Sequence, residues 1–427
     1  MTSTLPDAGS GGGDEVAAPV VEPLLVPREG VPDVVTTGDA LAELVDRFAA
    51  GAGPTAVDAE RASGYRYSQR AYLVQLRREG AGSALIDPIA CPDLSELSAA
   101  LAGDEWVLHA ANQDLPCLAE LGLTPSSLFD TELAGRLAGF ERVGLGAMVE
   151  SVLGLRLEKG HSAADWSTRP LPASWLVYAA LDVEVLLELR AALEHELRSQ
   201  GKLALAHEEF EAVRTSPPTP PRTDPWRRTS GIHRLRSRRQ LATVRELWQT
   251  RDAMARRRDV APGRILPDAA IVSAVLAAPQ TPAALIELPV FRGRATRRHV
   301  DTWFAALQRA ADLPEPELPA GSVPGDGPPP GNRWAERDPV AARRLSRTRA
   351  VVAELAAGLG MPAENLLQPD ALRRLTWSPP GGLDTGAAAG APAVAHALRD
   401  SGARAWQVAE VAEPLALALV DPARPAP

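Results

Sequence analysis

The sequence predicts a mixed α/β domain, one sheet with helices on its faces, followed by one or two small all-helical bundle modules. Three observations carry this. Between Thr55 and Asp87 three short apolar strands follow in close order. From Leu94 to Gln200 short strands alternate with helices, the pattern of a sheet covered by helices. Beyond two proline-rich tracts only helical periodicity remains.

Residues 1–30 are Gly-, Pro- and acid-rich and are expected to be disordered. The first folded domain spans 31–214. It opens with an amphipathic helix over Ala40–Ala50, then strands at Thr55–Ala59, Ala71–Gln75 and Ser83–Asp87, whose turn residues predict an antiparallel meander. Helix Leu94–Leu101, strand Trp106–His109, helix Leu115–Leu121, strand Leu128–Thr131 and helices Glu132–Ala138, Leu145–Leu153 and Trp175–Gln200 follow. Residues 215–225 hold five prolines and read as a stiff linker. A helical module at 226–312 contains the long basic helix Arg238–Arg258, then Asp268–Ala277, Thr281–Glu287 and Arg294–Ala310. A Pro/Gly linker at 313–332 leads to a third segment, 333–421, with helices at Pro339–Gly358, Asp370–Leu375, Ala391–Ser401 and Trp406–Leu419. Its length and opening resemble those of the preceding module, so it reads as a divergent second copy.

Composition narrows the function. Cys91 and Cys117 give neither a disulfide framework nor metal-ligand spacing, and the N-terminus has no basic and apolar leader, so a reducing cytoplasm is expected. No apolar run approaches the roughly 18 residues a membrane helix needs. The net charge of −9 conceals an uneven distribution: 17 cations against 34 anions in 1–224, 17 against 7 in 225–312, and 11 against 13 in 313–427. A basic block inside an acidic chain suits a polyanion, although a solvated helix face would have the same composition.

Five residues form the candidate site. Asp58 and Glu60 end the strand Thr-Ala-Val-Asp-Ala-Glu, two positions apart and therefore on one face. Asp114 opens a helix after strand Trp106–His109, and Tyr178 and Asp182 share a helix face at i,i+4. Taken singly, these acids could be a solvated strand end, a dipole-favoured first-turn acid and an exposed helix position. Together, four carboxylates can hold two divalent ions, Mg²⁺ or Mn²⁺, about 3.5–4 Å apart, the clamp for in-line displacement at phosphorus. Tyr178 is placed to hydrogen-bond and orient the attacking water; with a reference pKa of about 10 its phenol is a poor base.

Asp58-Ala59-Glu60, His109 to Asp114 and Tyr178 to Asp182 resemble the three exonuclease motifs of the DEDD superfamily, and the tyrosine is that of its DEDDy branch. Tyr72 to Leu76, and Lys159 followed by Asp165-Trp166-Ser167-Thr168-Arg169-Pro170-Leu171, are similar to segments of the ribonuclease D family. Residues 226–310, through Gln240 to Arg258, resemble the domain that RecQ-type helicases and ribonuclease D share at their C-termini. The resemblance implies a ribonuclease-H-like 3′→5′ exonuclease domain plus HRDC-like RNA-binding modules. It also implies a metal-dependent exoribonuclease acting on RNA 3′ ends, notably tRNA precursors; no obligate protein partner is inferred from the sequence, and a monomer is expected. Two alternatives stay open: a DNA-directed proofreading or repair exonuclease, and a catalytically idle RNA-binding scaffold.

Lys159 and Arg169 are phosphate-contact candidates because the resemblance sets their loop beside the cleft, and surface cations are the plainer reading. His161 in the same loop could touch substrate. Tyr65 could stack a terminal base or simply pack on a strand. Arg256, Arg257 and Arg258, with Arg292, Arg294, Arg297 and Arg298, sum to a basic face suited to an RNA backbone. His109 reads as a structural histidine.

Overall fold

The computed structural model describes residues 21–158, 160–161, 163–321, 327–381, 383 and 387–420. Strands β1 (Glu22–Leu24), β2 (Val34–Val35), β3 (Ala52–Arg61), β4 (Ala71–Glu79), β5 (Gly82–Ile86), β6 (Glu105–Leu108), β7 (Ser127–Asp130) and β8 (Leu155–Leu157) form two sheets. The larger runs β2-β5-β4-β3-β6-β7 and the smaller pairs β1 with β8 in parallel. The expected meander is present as antiparallel β3-β4-β5. β6 and β7 extend the sheet in parallel with β3. Its central strands are buried on both faces, which is why β4 reads Ala-Tyr-Leu-Val-Gln-Leu without alternation.

Helices α1 (Gly38–Ala49), α2 (Ser95–Ala100), α3 (Leu115–Ala119), α4 (Thr131–Ala138), α5 (Leu145–Met148), α6 (Ala173–Glu184), α7 (Leu186–Ser199) and α8 (Leu203–Arg214) cover this sheet. The predicted helix Trp175–Gln200 is two helices, broken at Val185. Beside the break Glu184 is buried and paired with Arg77 at 3.0 Å and Arg28 at 3.7 Å. The predicted helix Leu145–Leu153 is α5 running into a π-helical turn over Val149–Leu153. The expectation of disorder over 1–30 is corrected in part. Residues 1–20 lie outside the described residues, whereas Glu22–Leu24 form β1 because Leu155–Leu157 supply a parallel partner.

Beyond residues 216–222, which carry neither helix nor strand, the first module holds α9 (Arg238–Arg258), α10 (Pro262–Ile265), α11 (Asp268–Ala277), α12 (Pro282–Ile286), α13 (Arg294–Arg297) and α14 (Val300–Asp312). Ser237 and Gln240 close the N-terminus of α9 with a reciprocal capping box. The second module holds α15 (Trp334–Arg337), α16 (Pro339–Gly358), α17 (Ala363–Leu366), α18 (Pro369–Trp377), α19 (Ala387–Asp400) and α20 (Ala405–Leu419). Among the described residues no helix is long and apolar enough to cross a membrane. Both cysteines are free and buried.

Candidate active site

β3 is longer than its parallel neighbour: it pairs with β6 only at Thr55 and Ala56. Asp58, Glu60 and Arg61 therefore stand beyond the β6 register, where the sheet opens into a cleft. On its other side β3 stays paired with β4, Asp58 opposite Gln75 and Glu60 opposite Leu73, which fixes both carboxylates. After β6 the chain reverses through Ala110 in the left-handed region, φ 60°, and a short turn at Ala111–Gln113 delivers Asp114 to the N-terminus of α3. Asp130 anchors that reversal. Its buried carboxylate accepts hydrogen bonds from the backbone N–H groups of Ala110 (3.1 Å), Ala111 (2.9 Å), Glu132 (3.0 Å) and Leu133 (3.1 Å). α6 packs against β3, β4 and β5 and brings in Tyr178 and, one turn on, Asp182.

The four acids and Tyr178 line one cavity of about 1020 Å³. Ligand atoms of Asp58, Glu60 and Asp182 lie within 4.8 Å of one another. Asp114 faces them and meets the Arg61 guanidinium at 3.4 Å. Among the described residues this is the one ion pair any of the four acids makes.

Burial raises every carboxylate, and repulsion from neighbouring acids adds to it at Glu60, Asp114 and Asp182. Asp58 is pushed up to about 6, chiefly by burial. Glu60 is pushed up to about 10 by burial and then by the charges of Asp58, Asp182 and Asp114. Asp114 is pushed up to about 8 by burial and Asp58, partly offset by Arg61. Asp182 is raised by burial and then Asp58, against the opposing hydrogen bond from Tyr178. Burial, followed by the same carboxylates, carries the Tyr178 phenol above its ordinary value, so it remains protonated. Clustered oxygen donors whose ionised forms are disfavoured for want of positive charge fit a hard divalent cation, the donor chemistry that such ions select.

The other sequence candidates are scattered. His161 lies beside the tyrosine, its ring centroid 6.0 Å from that of Tyr178. Lys159 lies outside the described residues. Arg169 does not face the cleft with free donors. Its guanidinium holds Asp87 at 2.6 and 2.9 Å and donates to the carbonyls of Trp166, Thr168 and Tyr72, so the phosphate contact expected of it is corrected to a loop anchor. Tyr65 lines no part of the large cavity. One face of its ring carries the Arg264 guanidinium at 4.0 Å, and its carbonyl accepts from the Ala261 N–H. Arg256 is likewise diverted, donating to the Tyr67 hydroxyl across the domain seam and to Asp252 one turn back on its own helix. Arg257 and Arg258 are exposed, the latter donating to His299 at 3.0 Å. His109 packs Nδ1 against the Thr131 hydroxyl at 2.9 Å, and desolvation pushes it down to about 4, so it stays neutral.

Sequence reasoning missed Arg61 and Asp130. The first adjoins Glu60 and could have been suspected from that adjacency. The second shows its role only once two distant segments meet.

Residues 32–198 match the family described as 3′-5′ exonuclease, 240–307 the HRDC domain, and 327–419 the 3′ to 5′ exonuclease C-terminal domain. With the carboxylate cleft, these matches define a 3′→5′ exonuclease carrying two helical modules. The ribonuclease D of Acidiphilium cryptum is 36% identical over 314 residues, 70% of this chain and 77% of that one. That of Granulibacter bethesdensis is 35% identical over 220 residues, 50% of this chain and 55% of its own length. A crystal structure of a protein from Bifidobacterium adolescentis is 38% identical with a TM-score of 0.85, covering 93% of this chain and 99% of that one. Escherichia coli RNase D, described as an exoribonuclease involved in structured RNA processing, is 29% identical with a TM-score of 0.62, covering 81% and 89%. The chain belongs to the ribonuclease D family, a family of 3′→5′ exoribonucleases.

Proposed function

We propose that this protein trims RNA from the 3′ end, tRNA precursors among its substrates, by two-metal-ion hydrolysis of the terminal phosphodiester. The observation that supports this is the convergence of Asp58, Glu60, Asp114 and Asp182 on one cavity with Tyr178 at its wall. Asp58, Glu60 and Asp182 would hold one divalent ion, and Asp114 with Asp58 the second. When bound, Mg²⁺ or Mn²⁺ supplies activation of water and neutralisation of charge at phosphorus and the leaving 3′ oxygen.

The chain's own residues position the rest. Tyr178 keeps its proton and so orients the attacking water by hydrogen bonding. Arg61 holds Asp114 against the repulsion of its neighbours. Asp130 fixes the turn that presents Asp114. Cytoplasmic location and a monomeric state belong to the same proposal.

Asp58→Asn or Asp182→Asn should lower hydrolysis of a single-stranded RNA by orders of magnitude while melting is kept, and a chelator should do the same to the wild type. Tyr178→Phe should lower turnover by about 10²–10⁴, the range for a positioned proton-handling group. Near-wild-type rates in either carboxylate variant would remove the reading. Faster digestion of the matching DNA would move the substrate assignment.

A further inference from the structure

Arg169 makes five hydrogen bonds, one for every N–H of its guanidinium. Nε and Nη2 fork onto Asp87, just past β5, at 2.6 and 2.9 Å. Nη2 also reaches the Tyr72 carbonyl on β4 at 2.7 Å, and Nη1 reaches the Trp166 and Thr168 carbonyls, both at 2.8 Å. Asp87 is itself fixed, its N–H donating to the Val35 carbonyl of β2 at 3.0 Å and its carboxylate accepting from the Ile89 N–H at 2.9 Å. One side chain thus clamps the segment 161–169 to the sheet. A second tie, from Arg66 Nε to the Ser167 hydroxyl at 2.7 Å, ends on a single atom.

What the clamp holds leads to the active site. Trp166 is fully buried and packs in one apolar cluster with Leu73 of β4, Leu85 of β5 and Ala179 and Ala180 of α6, so its indole lies between sheet and helix. Its ring centroid is 5.3 Å from that of Trp175 and 6.4 Å from that of Tyr178. At the other end of the segment His161 adopts φ 60° and meets the Tyr178 ring edge-on, at 86° and 6.0 Å. The tyrosine therefore rests against two side chains of the clamped segment, and donates to Asp182 one turn on. Asp58 and Glu60 lie on β3, the antiparallel partner of the strand that Arg169 grips.

We infer that Arg169 is a positioning residue for Tyr178. By fastening the segment that carries Trp166 and His161 to the strands beside Asp58 and Glu60, it sets where the phenol hydroxyl stands relative to the carboxylates. Close-packed aromatic rings transmit a displacement rather than absorb it. A misplacement of about 1 Å at a reacting group can cost as much as about a hundredfold in rate. Lysine at this position would keep the charge and lose the fork, since one ammonium cannot meet both Asp87 oxygens and three carbonyls.

The inference rests on Tyr178 orienting the attacking water, and the experiment separates the two. In the full chain with Mn²⁺ and a short single-stranded RNA, Arg169→Lys should lower kcat about tenfold and leave KM. In a Tyr178→Phe background the same substitution should cost kcat nothing further, because the hydroxyl it positions is gone. Melting should fall equally in both backgrounds, and Mn²⁺ affinity by calorimetry should hold. Asp87→Asn should repeat the pattern more weakly, and it carries the test if Arg169→Lys does not fold. The chain has four tyrosines, so 3-fluorotyrosine gives four fluorine resonances, that of Tyr178 identified by its loss in Tyr178→Phe. Arg169→Lys should shift or broaden that resonance whatever the activity. An equal kcat loss in both backgrounds, a fall in Mn²⁺ affinity or an unmoved Tyr178 resonance would overturn the inference. So would a salt-dependent rise in KM, which would restore Arg169 as a phosphate contact. A Tyr178→Phe chain as active as the wild type, with the Tyr178 resonance still moved by Arg169→Lys, would sink the water-orienting reading alone.

Discussion

The two helical modules follow one plan. α9, α10 and α11 are 21, 4 and 10 residues long, and α16, α17 and α18 are 20, 4 and 9. In each module a proline stands at the start of both the second and the third of these helices, Pro262 and Pro267 in one and Pro362 and Pro369 in the other. Their attachments differ. The second module shares a continuous apolar core with the exonuclease domain, Val352, Leu398, Val411 and Leu415 joining Leu189, Leu193 and Phe210 in one cluster. The first keeps its own core around Leu247, Ile271, Phe291 and Trp303, and touches the exonuclease domain at the β3–β4 loop.

That second seam is polar and aromatic. Asp259 accepts from the Ser68 N–H at 2.9 Å and the Tyr72 hydroxyl at 3.4 Å, Asp252 accepts from the Tyr67 hydroxyl at 3.0 Å, and Arg264 donates to the Gly64 carbonyl at 2.9 Å. The same helical plan thus serves two ends. The second module is welded on as structure and is close to charge-neutral. The other carries the positive charge and grips the loop that continues directly from Glu60 and Arg61.

The largest expected effect comes from cutting into each core. Leu415→Ala and Leu247→Ala both remove a fully buried side chain and should cost about 2–5 kcal/mol. Calorimetry should show Leu415→Ala lowering the transition of the exonuclease domain, and Leu247→Ala lowering one that belongs to the basic module. A single transition displaced equally by both would erase the distinction.

Next is the polar contact within the welded seam. Glu209, 5% exposed, accepts from Arg404 at 2.6 Å and from the Trp406 indole at 2.9 Å. Glu209→Gln keeps the volume and removes the charge, and should destabilise by about 1–3 kcal/mol, the cost of leaving a charge-assisted pair unmade. An unchanged melting temperature would mean that apolar contact alone holds the module.

How much of this was legible in the sequence depended on the range of the interaction. Asp58 with Glu60 and Tyr178 with Asp182 were legible because strand and helix periods place them locally, and Asp114 because a strand ends just before it. The β1 segment and the contacts of Asp259 with the β3–β4 loop were not. β1 exists only because Leu155–Leu157 pair with a Gly- and Pro-flanked segment about 130 residues away. Arg169 and Arg256 show the same limit. An arginine's type announces a charge-seeking group, but whether its partner is Asp87, Tyr67 or a phosphate is decided by folding.

A smaller effect is expected at Asp259, which holds the β3–β4 loop. The hydrogen bonds from Ser68 and the charges of Arg70 and Arg66 outweigh burial and hold the Asp259 carboxyl below its ordinary value. A lowered folded-state pKa stabilises above the unfolded value and is lost as pH falls through the folded one, so the seam should loosen below about pH 4. Asp259→Ala should cost about 1 kcal/mol, discounted for an exposed pair, and abolish that acid-side loss. It should also lower kcat a few-fold on a dinucleotide too short to reach the module, because the loosened loop begins at Glu60. Rescue by Asp259→Asn, which can still accept from Ser68, would sharpen the assignment, and an unaltered acid limb would break it.

The smallest change in stability is expected where the two modules differ most in charge. Arg257, Arg294, Arg297 and Arg298 are exposed, and among the described residues none of them makes an ion pair. Arg257, Arg258 and Arg298 act on His299, lowering its pKa after the larger effect of desolvation, so they share one face. Arg257→Ala with Arg298→Ala should therefore move melting by less than about 0.5 kcal/mol, as surface substitutions do. If each cation meets a phosphate of single-stranded RNA, the slope of log K against log salt should flatten by about 0.7 per residue removed. The matched control is Arg343→Ala with Arg399→Ala on the second module, which should leave the slope alone. Equal flattening by both pairs would mean that the chain binds RNA through diffuse charge, and that the basic module differs from its neighbour in attachment but not in function.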